Sequence, residues 1–527
     1  MRTLATGILC WALLLAGCTN PREATPSEPT PPAAAEGPHS PTDRKPTPLS
    51  VRTSADGSAE IAEVDLGNTS IASFSTPIRG LIVAPTQLSS SRPAPVVILS
   101  HLRAPNCSDI SFAFPCPAET EELRFDHGWE YLATALAHEG YISVIPDLGP
   151  AYVGAKLTQP YSQKDLWSQT VSSLLTAVGS DHAGSNELGL NLKGAVDLST
   201  IALVAHSRSA VLVDAAISAV APHTLGSIVT YGGSYDTFDP AALSPPPPDI
   251  PYLGIEGELD NDVEHAPSQW LGNYLDIKRS QPAAIVQLPG FGHMGINTTA
   301  ITAGLDDRTG CDITDCASDT DQQRIFTEVV TDWLAATILN RDSQLPIQPD
   351  SPLPSELAGL PVRWLAHTPK ALLQLDPHSF QAITNQQAEI CRHGDLMNPA
   401  ATGNNCPEPH QGVIDTVAEV LLTTGARAKV PELTATTIAV HLAPFGGSGS
   451  HPDVTLELEL ANNTTVAVVI PGTDPVVADR SSEHGNGIYG LSTWRAQLPE
   501  AAQSSPIVAV TLHSESRPVE LRGVDLY

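Results

Sequence analysis

Between about residues 55 and 342, short runs of Val, Ile and Leu alternate with segments that have the apolar spacing of helices. The apolar runs include PVVILSH, TIALVAHS and AAIVQLPG, and the helical segments include DLWSQTVSSLLTAV and DQQRIFTEVVTDWLAATIL. An uninterrupted apolar strand is buried on both faces, which is typical of a parallel sheet covered by helices. The alternation therefore predicts a doubly wound α/β domain with a mostly parallel sheet over residues 55–342.

Two proline-rich stretches delimit this predicted domain. Residues 19–54 consist mainly of Pro, Ser, Thr and Ala, a composition that cannot bury a core and predicts an extended, disordered tether. A second such stretch predicts a linker over residues 343–361. Residues 362–527 contain alternating runs such as VTLELELA and PIVAVTLHS between turns rich in Gly and Asn, which favours an antiparallel, jelly-roll-like β-sandwich.

Residues 1–18 contain one basic residue, a short apolar segment and the sequence LAGC. They resemble a bacterial lipoprotein signal peptide, which implies that Cys18 becomes the lipidated N-terminus. An ordinary secretory signal or an anchor helix is the alternative, but the apolar segment is short for a bilayer span. We therefore expect the chain in the bacterial cell envelope, outside the cytoplasm, with the lipid as its only membrane contact. Because Thr19 rather than Asp follows the cysteine, we expect the outer membrane in a Gram-negative host.

The charge balance restricts the partners of the chain. With 27 basic and 58 acidic residues, its formal net charge is -31. Long-range repulsion disfavours nucleic acids and anionic lipid surfaces. We therefore predict no nucleic-acid partner.

Six cysteines remain after Cys10 and Cys18, and they form three pairs of near neighbours in the sequence. Even numbers in an exported chain are typical of disulfides, but six cysteines allow about 15 connectivities and the sequence does not choose among them. Zinc is the competing interpretation of CDITDC, which lacks the paired Cys and His spacing of structural zinc motifs. We predict disulfides and no metal site. The six residues are Cys107, Cys116, Cys311, Cys316, Cys391 and Cys406.

The segment VAHSRSA, residues 204–210, lies between a predicted strand and a predicted helix. At such a turn a serine hydroxyl projects over the sheet, where it can act as a nucleophile. The pattern G-x-S-x-G is expected because strand and helix pass close together, whereas this chain has Ala205 and Ser209 instead of the two glycines. Ala and Ser are the next smallest residues. Ser207 is therefore the predicted nucleophile.

The partners of such a serine follow the ends of later strands, first an acid and then a histidine. Asp260 lies just beyond the run YLGIEG, and His293 lies just beyond AAIVQLPG. We expect His293 to accept the Ser207 proton and Asp260 to orient the imidazole, with Asp262 as the alternative acid.

Two backbone N–H groups are the predicted oxyanion donors. Arg208 follows the nucleophile, and Leu102 follows the strand PVVILSH. Calcium is an alternative role for the acidic segment ELDNDVEH, although its spacing is not that of an EF-hand loop. His101 and His206 are expected to shape the site rather than to react.

These segments resemble the α/β-hydrolase superfamily over about residues 75–342. SHLRAPNC and AHSRS stand where the dienelactone-hydrolase, chlorophyllase and platelet-activating-factor-acetylhydrolase-like branch often has SHG and GHSRG. HGWEYLATALAHEGYISVIPD is similar to the helix-strand segment of that branch. The resemblance implies a cofactor-free carboxylic ester hydrolase in which Ser207, Asp260 and His293 form the triad of an acyl-enzyme mechanism.

Three hypotheses follow for function. The first is a lipid-anchored extracytoplasmic serine esterase acting on small-molecule or polymeric esters. The second is a catalytically silent surface lipoprotein that binds a glycan or polymer through residues 362–527, a region similar in layout to carbohydrate-binding modules. There Trp364 and Trp494 could stack on a sugar, although we expect them to fill the core. The third is a serine peptidase, for which the sequence offers no recognisable peptide-selecting domain.

Overall fold

The computed structural model shows a mixed α/β structure with one large, mostly parallel sheet and further antiparallel sheets. The predicted signal peptide with Cys18 and most of the predicted tether lie outside the described residues. No helix in the described part of the chain is long and apolar enough to cross a membrane. The described residues are 45–71, 74–235, 244–263, 265–308, 316–350, 352–392, 406, 419–445, 451–477 and 490–527.

The large sheet contains ten strands, which confirms the predicted mostly parallel α/β region. They are β1 Ser50–Thr53, β2 Ala59–Ile71, β3 Phe74–Pro85, β4 Ala94–Ser100, β5 Ile142–Pro146, β6 Val196–His206, β7 Thr224–Tyr231, β8 Tyr252–Gly257, β9 Ala283–Leu288 and β12 Arg363–His367. Their order is β1-β2-β3-β5-β4-β6-β7-β8-β9-β12. The strands from β5 to β9 in this order are parallel, whereas β1 to β3 and β12 pair antiparallel at the two edges.

Helices cover both faces of this sheet. They are α1 Glu130–His138, α2 Gln163–Ala183, α3 Val213–Ala219, α4 Ala266–Gly272, α5 Thr298–Thr302 and α6 Asp319–Leu339. Successive side chains of β4 alternate between two apolar layers: Val96 and Ile98 pack with α2, α3 and α4, whereas Val97 and Leu99 pack with α1 and α6. Because both faces are buried, Val96, Val97, Ile98 and Leu99 form an uninterrupted apolar run in this strand, as the sequence pattern requires.

Local signals determine where the two long helices begin and end. The hydroxyls of Ser162 and Ser318 accept hydrogen bonds from backbone N–H groups in the first turns of α2 and α6. Helix α2 ends at Gly184, whose φ of +108° favours glycine, and α6 ends at Asn340 in the left-handed region.

The C-terminal residues contribute to the large sheet as well as forming sheets of their own. After the hairpin of β10 Glu356–Leu357 and β11 Leu360–Pro361, strand β12 pairs antiparallel with β9. The first residues of the predicted second domain thus form an edge of the large sheet. Trp364 in β12 is buried in the layer that contains α1 and α6, and its indole N–H donates to the carbonyl oxygen of Pro354 at 2.8 Å.

Two antiparallel sheets follow, and one apolar cluster contains side chains from both. One comprises β13 Leu373–Leu375, β15 Ala388–Arg392, β16 Glu419–Thr423, β18 Thr437–Pro444, β21 Ser492–Gln497 and β23 Val519–Leu526. The other comprises β14 Phe380–Ala382, β17 Gly425–Leu433, β19 Val454–Leu460, β20 Thr465–Ile470 and β22 Ile507–Ser514. A short helix, α7 Glu500–Ser504, precedes β22, and Trp494 packs against the shared cluster.

Two of the three pairs of cysteines that are near neighbours in the sequence form disulfides, a connectivity that the sequence left open. Cys107 bonds to Cys116 and Cys391 bonds to Cys406, with Cα atoms 5.6 and 4.8 Å apart. Cys311 lies outside the described residues, so its predicted participation in a disulfide stays a prediction. The two disulfides fit a location outside the cytoplasm.

Candidate active site

Ser207 lies at the turn between β6 and a short 3₁₀ helix, Ser207–Leu212, that leads into α3. Its φ is +55°, in the left-handed region that L side chains rarely adopt. Such a conformation costs on the order of 1–3 kcal/mol and is concentrated at functional sites. The residue is 4% exposed. A strained, nearly buried serine therefore stands at the carboxyl end of a central parallel strand.

The residue that replaces the second expected glycine is held in a buried hydrogen-bond network. The Ser209 hydroxyl donates to the carbonyl oxygen of His101 at 2.6 Å and accepts from the Ser100 hydroxyl at 2.8 Å. Because the Ser209 hydroxyl donates its single proton to His101, the Tyr152 hydroxyl 2.8 Å away must donate to Ser209. The Trp167 indole N–H in turn donates to Ser100 at 2.8 Å. This network joins the turn after β6 to the end of β4.

Asp260 and His293 lie beyond the ends of β8 and β9, and the structure brings their side chains together. His293 Nδ1 is 2.7 Å from Asp260 Oδ2, and both side chains are fully buried. The other oxygen, Oδ1, accepts from the backbone N–H groups of Asp262 and Val263 at 3.0 and 2.9 Å. Asp260 is therefore fixed by three hydrogen bonds.

Gly232 directly follows β7, and because it has no side chain, Asp260 and His293 can contact each other beside it. Its φ is +52°, and a Cβ atom there would lie 2.6 Å from His293 Nδ1 and 2.9 Å from Asp260 Oδ2. A side chain at position 232 would thus displace the acid or the imidazole.

The second ring nitrogen of His293 faces another acid. Its Nε2 lies 3.3 Å from Asp262 Oδ2 and forms no hydrogen bond to a described residue. Burial lowers the pKa of His293, but the carboxylates of Asp260, Asp262 and Asp307 outweigh burial and raise that pKa to about 9. The His293 imidazole therefore favours its protonated form.

Asp307, which the sequence analysis did not single out, fastens the loop that carries the histidine. Its carboxylate accepts from the backbone N–H of His293 at 2.8 and 2.9 Å, of Met294 at 3.2 Å and of Asn261 at 3.0 Å. It therefore ties the loop after β8 to the loop after β9. Burial first, and then the charge of Asp260, raises the pKa of Asp307.

His101 fixes the backbone after β4, where Leu102 is a predicted oxyanion donor. Its Nε2 accepts from the backbone N–H of Leu148 at 2.8 Å, so its Nδ1 carries the proton and donates to the carbonyl oxygen of Leu102 at 2.8 Å. Burial lowers the pKa of His101, in keeping with this neutral form. The second predicted donor, the backbone N–H of Arg208, lies in the first turn of the 3₁₀ helix that begins at Ser207.

His206 is buried among aromatic rings beside the pair. Its ring centroid lies 4.8 Å from that of His293 and 5.5 Å from that of Tyr231. Burial holds the pKa of His206 well below its usual value, so its ring is neutral. It packs against the His293 ring.

No known protein-family model matches this chain, and no curated protein matches it either. Within the described residues, no group of three or more His, Cys, Asp and Glu side chains is arranged to hold a metal ion. A strained serine and a buried acid–histidine pair lie beyond the carboxyl ends of parallel strands in the large sheet. Such a set suits nucleophilic attack on an acyl carbon.

Proposed function

We propose that this protein is a serine hydrolase that cleaves carboxylic esters through an acyl-enzyme. The observation that carries the proposal is the left-handed conformation of Ser207 at the end of β6, on the sheet edge that also carries the bonded Asp260–His293 pair. A positive φ at a non-glycine residue is unfavourable, and such strained residues cluster at active sites.

The strand order supports an α/β-hydrolase fold for residues 55–342. The predicted nucleophile, acid and histidine follow β6, β8 and β9, and ligands bind beyond the carboxyl ends of strands in open α/β sheets. The two antiparallel sheets with a shared core support a β-sandwich in the C-terminal residues.

In the proposed reaction, the Ser207 hydroxyl attacks the ester carbonyl carbon while His293 Nε2 takes its proton. The Asp260 carboxylate stabilises the resulting imidazolium through Nδ1. Backbone N–H groups of Leu102 and Arg208 stabilise the oxyanion. The imidazolium then protonates the departing alcohol, and water hydrolyses the acyl-enzyme by the same steps, which returns the acid product and free Ser207.

The proposed location is the extracytoplasmic face of the bacterial envelope, with a lipid on Cys18 as the anchor. The two disulfides support a compartment outside the cytoplasm. The proline-rich composition of residues 19–54 would let the folded part reach substrates away from the membrane.

The second candidate is a catalytically silent protein that binds a glycan or polymer. The close approach of Asp262 to His293 Nε2 favours it, because that nitrogen must accept the serine proton. A half-exposed carboxylate can move aside when a substrate enters, however, and catalytic contacts often tighten only in the complex.

Steady-state hydrolysis of 4-nitrophenyl butyrate by the purified full chain separates the two candidates. We expect Ser207→Ala and His293→Ala to lower kcat at least 1,000-fold, on the order of triad losses in known serine hydrolases. Ser199→Ala removes an exposed serine from the opposite end of β6 and is the matched control, which should retain wild-type kcat. Equal activity in wild type and Ser207→Ala would reject the proposal.

A further inference from the structure

Two arginine side chains converge on one short segment beside the proposed nucleophile. The Arg103 Nε donates to the carbonyl oxygens of Tyr152 and Gly154 at 2.9 and 3.0 Å. The Arg208 Nη2 donates to the carbonyl oxygen of Ala155 at 3.0 Å, and Arg208 directly follows the serine in the chain. Both guanidinium groups therefore lie at the edge of the sheet where the proposed reaction takes place.

Neighbouring acids do not neutralise this pair. Among the described residues, neither arginine forms an ion pair with a carboxylate within 4.0 Å. The charge of Asp262 acts on both arginines, but that side chain is half-exposed and lies against His293 instead. Burial lowers the pKa of both arginines, and the charge of Arg208 lowers the pKa of Arg103 further. An anion between the two cations would relieve this repulsion.

The packing of Arg103 leaves part of its guanidinium for a ligand. Its Cζ lies 4.0 Å from the ring centroid of Phe112, in the loop closed by the Cys107–Cys116 disulfide. Its Nε is used by two carbonyl groups, whereas neither Nη forms a hydrogen bond to another described residue. A stacked, planar guanidinium presents such N–H groups in a geometry that matches a carboxylate.

The pair stands out against the charge of the whole protein. The net charge of -31 repels anions at long range, so an anionic ligand needs cations at short distance. Arg103 and Arg208 supply two such cations within a site that is partly removed from water.

We propose that Arg103 and Arg208 bind an anionic group of the substrate beside the ester bond that Ser207 attacks. The substrate class is then an acyl ester that carries a second, ionised acid group, such as a monoester of a dicarboxylic acid. This inference rests on the proposed ester hydrolysis and specifies its substrate.

The test compares two esters with the same leaving group on the purified full chain. One is the mono-4-nitrophenyl ester of adipic acid, which has a free carboxylate, and the other is 4-nitrophenyl methyl adipate, which has none. Because hydrogen bonds to charged groups are strong, we expect the kcat/KM of wild type to be about 10- to 100-fold higher for the anionic ester than for the neutral one. The preference should decrease as salt is added.

Variants assign the preference to the arginines. Arg103→Gln and Arg208→Gln should each lower the ratio of the two kcat/KM values at least fivefold, and Arg103→Lys should retain part of it because the charge remains. Arg92→Gln, which removes an exposed arginine just before β4, should leave the ratio unchanged. The proposal is overturned if wild type hydrolyses both esters with the same kcat/KM, or if the Gln variants lower both kcat/KM values by the same factor. The arginines would then serve only to support the loop that they contact.

Failure of this inference differs from failure of the proposed function. Ser207-dependent turnover of the neutral ester without an anionic preference would leave the esterase and reject the anion site. If neither ester is hydrolysed, calorimetry with adipate decides about the site: binding that Arg103→Gln abolishes supports it, and absence of binding rejects it.

Discussion

Ser209 shows how the turn at the proposed nucleophile can form without the usual glycine. Its hydroxyl is buried and joins the carbonyl of His101 to the hydroxyls of Ser100 and Tyr152. The other replacement, Ala205, is fully buried in β6, between Ser100 of β4 and Thr230 of β7. The departures from glycine are thus accommodated by hydrogen bonding and close packing.

Removing this hydroxyl should therefore destabilise the protein. Ser209→Ala leaves buried partners without a hydrogen bond, and we expect the free energy of unfolding to decrease by about 1–3 kcal/mol. Urea denaturation measures the change. The control Ser91→Ala removes an exposed serine hydroxyl, bonded to Ser89, and should change the free energy by less than about 0.5 kcal/mol. Equal losses in both variants would contradict a role for the buried network.

The charge of Asp262 should control the pH range of activity. His293 must be unprotonated to accept the serine proton, so with a pKa of about 9 the wild-type kcat/KM should rise as pH increases through that value. Asp262→Asn removes a carboxylate that favours the imidazolium, which lowers the pKa of His293. We expect the acid limb of the pH profile to move down by roughly half to one pH unit, because the carboxylate is half-exposed and screened.

The matched control for this measurement is Glu328→Gln on the exposed face of α6, which removes one negative charge away from the site. Its pH profile should coincide with that of wild type. If the acid limb moves to higher pH in Asp262→Asn, or moves by the same amount in both variants, the Asp262 carboxylate does not control the pKa of His293.

The sequence predicts part of this site for a simple geometric reason. Strands β8 and β9 are parallel neighbours, so residues just beyond their carboxyl ends, such as Asp260 and His293, must lie close together. Asp307 could not be found this way, because it follows α5 in an irregular segment and reaches the site only through backbone N–H groups. No residue pattern in the sequence encodes that contact.

Buried strands were predictable from the sequence and edge strands were not. Each of β4, β6 and β9 contains an uninterrupted run of at least four apolar residues, because helices cover both faces of the sheet. In contrast, β2 carries Glu60, Glu63 and Asp65 near one edge of the sheet, and such a mixed pattern does not distinguish a strand from a loop. The pairing of β12 with β9 joins residues about 80 positions apart, which no local pattern reveals.

The loop between Cys107 and Cys116 is closed by a disulfide, which substitution or reduction can remove. The bond closes a separation of 9 residues, for which loop-closure entropy predicts a stabilisation of about 2–3 kcal/mol. We expect the double variant Cys107→Ser, Cys116→Ser to lower Tm by several degrees in a calorimetric scan. Reduction of wild type, verified by thiol counting, should lower Tm at least as much. An unchanged Tm in both would contradict the structural role of this disulfide.

The C-terminal residues are integrated with the large sheet through contacts between segments distant in sequence. His367 Nε2 contacts the carbonyl oxygen of Ile277, and Arg522 Nε donates to that of Gly272 at 2.8 Å. Leu365 of β12 belongs to the apolar layer that contains α4. A boundary drawn from composition alone does not show these contacts, because they join segments distant in sequence.

A chain that ends at residue 342 should therefore be much less stable than the full chain. It lacks β12, so the edge of β9 and the apolar surface around α4 become exposed. We expect Tm to fall by at least about 10 °C, which corresponds to several kcal/mol for a domain of this size. Thermal unfolding and 4-nitrophenyl butyrate hydrolysis of the two chains test this. Unchanged Tm and activity would show that the C-terminal region is an independent accessory unit.

Ser207 is proposed to be an activated nucleophile, and covalent labelling by a fluorophosphonate probe measures that activation without a substrate. The reagent reacts with an activated serine hydroxyl whatever the natural substrate is. Wild type and Ser207→Ala, both shown to be folded by circular dichroism, are treated side by side, and the site is located by peptide mass spectrometry. We predict labelling of wild type at Ser207 and none of the variant. A folded wild type that takes no label, or a variant labelled equally, would show that Ser207 is not an activated nucleophile.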